Sequence, residues 1–419
     1  MCNRKLIGAN YFNKGVLAQD PNISFVYNSP RDETGIGTHT TSIAVGNYVR
    51  GVSYFGYAKG TTKGTAPCAR LAIYKVIWSR GGSLTYDVIA SMDQTLADGV
   101  DIISMSISFR GALPYEDSIS ITSFAALEKG TLTLGNGKTI IGWSLFPGRA
   151  LLNASLVYNE TLTRCNSPAL LSEYANNAIV NYRGVLKLDV VAPGSQVLAA
   201  WSLKVTTGRV GSNNLFLSSN YNILFGTSMT CLHASGVVVL LKGAHADWSP
   251  GAIRSAMMTT ANPLDNTNIP ILDVKFSRPA TGLDMGVDQI DPNKALNPGL
   301  IYDAGVQDYV SYIYSLNFTR EHETSPTAQE FKMTVTNMGD GSFTYSGKLT
   351  QPSGAIVSVS PNKLVFQKKF ETLSFVVNIM DTLQRNDKIS SGVLVWIDTN
   401  GKHRVRSPIV VIDPLSGNT

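Results

Sequence analysis

The sequence is poor in charge, in cysteine and in long apolar runs, and each shortage closes off a class of function. Charged residues make up 16% of 419, with a formal net charge of +5. The cations are spread along the chain without a basic block, so nucleic acid is not an implied partner. The longest strongly apolar stretch, 234–241, falls far short of the ~20 residues that cross a bilayer, so no membrane partner is expected. The four cysteines, Cys2, Cys68, Cys165 and Cys231, are scattered and form no CxxC pair, which argues against structural zinc. Histidine is equally scarce, and His233 and His245 lack metal-ligand spacing; no metal and no cofactor is expected. The opening MCNRKLIGAN has no apolar signal-peptide core, so either the protein is not exported or its true N-terminus is missing.

What is present describes packed domains. Hydrophobic residues reach 43% before the 37 glycines are counted, enough for sizeable cores, and the length suggests two or three units. Asn-x-Ser/Thr triplets at Asn22, Asn153, Asn159 and Asn317 are glycan acceptors if the chain is secreted, though such triplets also arise by chance.

From Gly64 to Ser108 the pattern alternates. Leu71 to Trp78 reads as a strand, Tyr86 to Asp98 as a helix ending at Gly99, Val100 to Ile107 as a strand, and Asp117 to Lys129 as a helix closed by Gly130. Strand–helix–strand–helix implies a parallel sheet covered by helices. Thr131 to Ile141 then reads as a hairpin around Gly135-Asn136-Gly137, not as the next parallel strand. A parallel-strand pattern resumes at Leu188 to Ala192. Helices follow at Thr227 to Gly243 and at Pro250 to Thr260, the second opened by a proline whose missing N–H costs nothing there. Beyond about Thr324, seven short alternating strands separated by turns suggest a β-sandwich.

The sharpest chemical signal is Gly226-Thr227-Ser228-Met229 at the start of a long helix. There, converging N–H groups and the helix dipole favour developing negative charge beside a serine. On spacing alone an ordinary helix cap explains it as well. The surroundings add more. Tyr221 to Gly243 (YNILFGTSMTCLHASGVVVLLKG) and Ala244 to Ala261 resemble the nucleophile segment of the plant subtilisin-like serine proteases, the subtilases. Asp189 to Gly194, Asn293 to Asp303, Asn3 to Gly8 and the stretch around Gly37-Thr38-His39-Thr40 match in the same order. Past Gln329 the sandwich resembles the fibronectin-III-like domain that ends plant subtilases.

The resemblance implies an incomplete subtilisin-like α/β core, a parallel sheet flanked by helices, followed by an all-β sandwich. The domains expected are residues 1–138, the N-terminal part of the peptidase domain; 139–180, a remnant of the protease-associated insert; 181–323, its C-terminal part with the serine helix; and 324–419, the sandwich. It also implies secreted or cell-wall serine endopeptidase chemistry on peptide or protein substrates, in which histidine deprotonates serine and aspartate orients the histidine. Ser228 matches the nucleophile. The catalytic histidine opens a Gly-His-Gly-Thr-His run that reads Gly35-Ile36-Gly37-Thr38-His39 here, so Ile36, which accepts no proton, stands in the base's place. His39 matches the second, structural histidine, one turn on at about 5–6 Å. The catalytic aspartate belongs to a strand upstream of Asn3 and is missing; Asp32 reads as a loop residue or helix cap. The oxyanion asparagine is missing too, because Asn136 matches a later hairpin of the family. Met105, Ser106, Ile107 and Ser108 match the strand that pairs with substrate, with Ser108 where a small glycine is usual; an ordinary core strand explains them equally.

Other signals are weaker. Gly137-Lys138-Thr139 looks like the end of a phosphate loop, but Leu132 stands where its first glycine belongs. Cys231 reads as a small buried hydrophobe. The resemblance implies that disulfide partners of Cys2 and Cys165 lie in missing segments. The expectation is a subtilase relative that is inactive or severely impaired as an enzyme. The alternatives are a non-catalytic peptide- or protease-binding pseudoenzyme and a chain that does not fold stably.

Overall fold

The computed structural model describes residues 4–79, 81–107, 117–135, 189–210, 215–273, 278–280, 282–315, 328–382 and 389–412. They divide into two compact units. One comprises the described residues up to 135 together with 192–243; the other comprises 189–191 and those from 244 onward.

The first unit opens with β1 (Leu6–Tyr11), α1 (Lys14–Gln19), α2 (Ile36–Val45), the hairpin β2 (Val49–Tyr54) and β3 (Tyr57–Thr62), and β4 (Leu71–Lys75). It continues with α3 (Thr85–Ala97), β5 (Ile102–Met105), α4 (Ser118–Glu128) and β6 (Leu132–Gly135). Two parallel pairs result. β1 pairs with β4 in the register Ala9 to Ile73, and β5 pairs with β6 in the register Ile102 to Leu132. The apolar spacing that marks α3 in the sequence buries Val88 and Met92 against Val76, Ile103 and Met105. Buried Asp87 turns back to accept hydrogen bonds from the Gly15 and Val16 N–H groups at the start of α1.

The hairpin expected from Thr131 is corrected. Leu132–Gly135 is the next parallel strand, laid beside β5. Gly130, at a φ of 76°, ends α4, and the Thr131 N–H closes the helix on the Ala126 carbonyl, which sends the chain back along the sheet. The Gly-Asn-Gly signal lies at the far end of that strand, and Asn136 is outside the described residues.

The unit is completed by β7 (Val197–Ala200), antiparallel to β10 (Tyr221–Leu224), the small ribbon β8 (Gly208–Val210) with β9 (Leu215–Leu217), and α5 (Thr227–Ala244). α5 is apolar on most of its circumference, as a helix enclosed by other elements should be. It buries Met229, Cys231 and Leu232 against Ile43, Val45 and Ala66, with Leu71 and Leu134 packed alongside. At Gly236 the helix approaches its neighbours closely: a Cβ there would lie 3.0 Å from the Ala44 carbonyl oxygen and 2.9 Å from Thr65 Cγ2.

In the second unit the parallel strand expected at Leu188 to Ala192 is present in shortened form. Val191 bridges Gln289 in parallel and the Asp189 carbonyl accepts from the Val287 N–H, but no full strand is formed among the described residues, and Leu188 lies outside them. The Arg254 guanidinium holds the Asp189 carboxylate at 2.9 Å, and Pro193 follows without an N–H to continue a ladder. α6 (Pro250–Thr259) begins at Ser249, whose Oγ accepts from the Ala252 N–H at 2.9 Å. Next come β11 (Leu272–Asp273), β12 (Arg278–Pro279), α7 (Gly282–Met285), α8 (Pro292–Ala295), β13 (Leu300–Ile301) and α9 (Val306–Ser315).

The sandwich strands are β14 (Ala328–Asn337), β15 (Phe343–Thr350), β16 (Ala355–Ser360), β17 (Lys363–Phe366), β18 (Thr372–Asp381), β19 (Ile389–Asp398) and β20 (Arg404–Ile412). They form two sheets of order β13–β14–β18–β16 and β17–β15–β19–β20. The alternation visible in the sequence puts Val335, Tyr345, Phe366, Phe375 and Trp396 inside, with the Phe375 and Trp396 rings edge to face at 5.0 Å. The eighth strand, β13, comes from the Asn293 to Asp303 segment and buries Leu300 in the same core.

Candidate active site

Ser228 is the second residue of α5. Gly226, at a φ of 146°, turns the chain into the helix, and its N–H donates to the Gly194 carbonyl at 2.8 Å. The side chain of Ser228 is half-buried, and its hydroxyl has no hydrogen-bond partner among the described residues. The first turn of the helix leaves N–H groups without intrahelical partners, so the position suits an oxyanion.

The direction of α5 follows from its contacts. The Cys231 Sγ lies 3.9 Å from the Leu134 carbonyl oxygen, the Ser235 and Ser104 hydroxyls are 2.7 Å apart, and Lys242 borders a cavity with Val100 and Asp101. The helix therefore runs antiparallel to β5 and β6, which puts Ser228 at their carboxyl ends, where open α/β sheets bind ligands. The cavity, about 600 Å³ and lined also by Leu96, Lys129 and Thr131, lies at the opposite ends of the strands and is not part of this site. Burial pushes the Cys231 thiol up from its ordinary pKa, against hydroxyls of nearby serines, so it is not a ready nucleophile.

At α2 the groups expected from the sequence can be followed one by one. Ile36 is the first helical residue and is half exposed. His39, one turn on, is wholly buried, and its Nε2 lies 3.1 Å from both the Val197 and the Asn222 carbonyl oxygens. Two carbonyl acceptors on one nitrogen assign the proton to Nε2. Burial holds the imidazole pKa below its ordinary value; the two carbonyls work the other way without overcoming it. Nδ1 is buried without a partner, so a second proton there would find no acceptor. His39 thus ties α2 to β7 and β10 as a neutral donor.

Asp32 accepts from the N–H groups of Thr34, Gly35 and Thr38 and from both threonine hydroxyls. Burial opposes its ionisation, but these donors outweigh it and hold the carboxyl below the usual range. Its bond to the Thr38 N–H caps the entry to α2, one of the two readings the sequence left open. Met105 is buried at the end of β5, with Ser106 and Ile107 half-buried after it. Asn22 is exposed and Cys68 is a free, exposed thiol. Ser108, Asn153, Asn159, Asn317, Cys2, Cys165 and the 139–180 segment lie outside the described residues. No group of three or more His, Cys, Asp and Glu poised for a metal occurs among the described residues. The carbonyl pair that engages His39 and the Ser104–Ser235 bond have no local signal in the sequence, since each joins residues more than a hundred positions apart.

A serine in the first turn of a helix at the carboxyl ends of parallel strands, followed by a separate β-sandwich, is the arrangement of a serine-hydrolase unit with a C-terminal sandwich module. Residues 5–284 match the model of the Subtilase family, and residues 315–411 match that of a fibronectin type-III domain. The chain is 38% identical to the subtilisin-like protease SBT3 of Solanum lycopersicum, over 98% of this chain and 75% of that one. It is 31% identical to the subtilisin-like protease SBT1.7 of Arabidopsis thaliana, over 98% and 77%, and 30% identical to the subtilisin-like serine-protease S of Lotus japonicus, over 97% and 76%. The chain belongs to the subtilase family of serine proteases. Its match to the Solanum relative runs over 576 residues, longer than the 419 of this chain, so that relative carries segments absent here.

Proposed function

We propose that this chain is a subtilase that retains the nucleophile but does not cut peptide bonds. The observation that carries the reading is at the start of α2. The side chain at the base position is Ile36, and the neighbouring histidine is buried with its Nε2 proton committed to two carbonyls. A serine hydroxyl without a base within hydrogen-bond reach stays protonated and is a poor nucleophile. In subtilisin, loss of the histidine or the serine alone costs about a millionfold in turnover. The absence of a recognisable oxyanion asparagine after the helix that ends at Gly130 supports the same conclusion.

The surviving chemistry is binding. The segment from Met105 to Ser108 is the element on which a peptide would lie, with a serine at 108 where a glycine is usual. Secretion, glycosylation at Asn22, Asn153, Asn159 and Asn317, and a remnant insert at 139–180 belong to the same proposal, as does the division of the rest into 1–138, 181–323 and 324–419. Full-length protein is treated with a fluorophosphonate probe and with internally quenched peptides. The expected result is no label on Ser228 beyond that of Ser228→Ala, and no turnover. Labelling at Ser228, with hydrolysis that disappears in Ser228→Ala, overturns the proposal.

A further inference from the structure

The β2–β3 hairpin exposes aromatic rings that its own packing does not use. The chain reverses at Phe55-Gly56, both at positive φ, 49° and 87°. Positive φ at both central residues is the mark of a type I′ turn, where asparagine or aspartate normally precedes the glycine. A bulky side chain at the first of those positions is a backbone outlier. Burial does not hold it there: Phe55 is 55% exposed, and its ring meets that of Tyr54 edge to face at 4.8 Å. Tyr57 and Tyr48 are 61% and 64% exposed, and β3 is exposed from Tyr57 to Thr61. Val52, buried on β2, roots the hairpin in its unit. A strained ring that packs on so little points to a use outside the fold.

The charge around these rings has one sign. No aspartate or glutamate occurs between Glu33 and Asp87, while Arg50, Lys59 and Lys63 stand exposed on or beside the hairpin. Lys63 lies just past β3, with its Nζ 5.0 Å from the centre of the Tyr48 ring and donating to the Tyr48 hydroxyl. Lys59 follows Tyr57 by two residues and Arg50 precedes Tyr54 by four, so they stand about 7 and 13 Å behind the turn. Exposed apolar side chains rimmed by charge mark a contact surface.

We propose that the tip of this hairpin anchors the protein to the surface of an anionic lipid bilayer. The rings project from a convex turn, which enters a yielding surface and offers no groove to hold a peptide. Aromatic side chains favour the interfacial layer of a bilayer. A surface-bound element sinks about 5–10 Å into the boundary of headgroups and acyl chains, which leaves Lys59 and Arg50 at the level of the phosphates. Neutral headgroups make little use of those cations, whereas an anionic surface attracts each of them. Such an anchor needs no spanning segment, and no helix among the described residues is long and apolar enough to be one. Ser228 takes no part in it.

The test sediments the full chain with phosphatidylcholine vesicles, with and without about 30% phosphatidylserine. Binding at least roughly tenfold tighter to the anionic vesicles is expected, and it should weaken at about 0.5 M salt. Phe55→Asn suits the type I′ turn, so its urea midpoint should equal or exceed the parent's while vesicle binding drops roughly tenfold. Phe55→Trp should bind at least as tightly as the parent. Arg50→Gln combined with Lys59→Gln should lower binding to anionic vesicles roughly tenfold or more. Equal or absent binding to the two vesicle types overturns the proposal, as does undiminished binding by Phe55→Asn or by the Arg50 and Lys59 variant. A lowered urea midpoint in Phe55→Asn, or weaker binding by Phe55→Trp, overturns it by giving the ring a packing role. Capture of soluble polyglutamate that anionic vesicles do not displace overturns it in favour of an acidic protein partner.

Discussion

Replacing His39 with leucine tests whether that ring is a structural donor. The side chain is wholly buried and its Nε2–H is shared between the Val197 and Asn222 carbonyls at 3.1 Å each. Leucine is close in volume, so the cavity left is small. The dominant loss is one buried donor and the acceptors it served, about 2 kcal/mol. Against a stability of about 5–15 kcal/mol, that is roughly a thirtyfold change in the folded-to-unfolded ratio. Trp201, whose ring lies edge-on to His39 at 6.1 Å, offers a local fluorescence signal for urea unfolding. The pH dependence carries a second, independent expectation. Burial lowers the folded-state pKa of His39 below 6.5, so the unfolded chain takes up the proton first. The stability of the parent is flat in this respect above that value, falls as the pH drops through it, and levels off below the folded pKa. His39→Leu removes that component, so the gap between the two proteins narrows from pH 8 to pH 5. An unchanged urea midpoint at pH 8, or the same acid slope in both proteins, refutes the assignment of His39 as a buried neutral donor.

Substitutions at two further positions probe the elements that set the site. Gly236→Ala gains about 1 kcal/mol of helix propensity but drives a Cβ against the Ala44 carbonyl and Thr65, and a net loss of about 1–3 kcal/mol is expected in urea unfolding; a stabilised variant would contradict the close approach of α5. Asp32→Ala strips the cap from α2 and should cost about 1–2 kcal/mol at pH 7, with Asp32→Asn costing less. The folded Asp32 carboxyl titrates below its ordinary 3.8, so its contribution is complete at neutral pH and is lost only as the pH falls through the folded value. Equal stability of the three proteins at pH 7 would show that the cap contributes nothing.

The features legible in the chain are those written locally. Helical spacing in Tyr86 to Asp98 and the start signal at Pro250 correspond to α3 and α6 nearly to the residue, and seven alternating segments correspond to β14 through β20. Each depends on neighbours within a turn or a pleat. The proposal that Ile36 stands in the base's place likewise needs only the order of five residues, Gly35 to His39. Partnerships across the chain were not legible. Leu132–Gly135 carries turn signals that suit a hairpin, and only the packing of α4 against the sheet made it a parallel strand beside β5. Val191 reads as a strand residue and pairs in parallel with Gln289, a partner about a hundred positions away; β13 joined the sandwich because Leu300 found a place in its core. Local sequence thus determined the elements and the family. The state of His39 and the pairing of β6 with β5 were decided by tertiary structure, because a buried donor or a strand edge is satisfied only by groups that folding brings from distant parts of the chain.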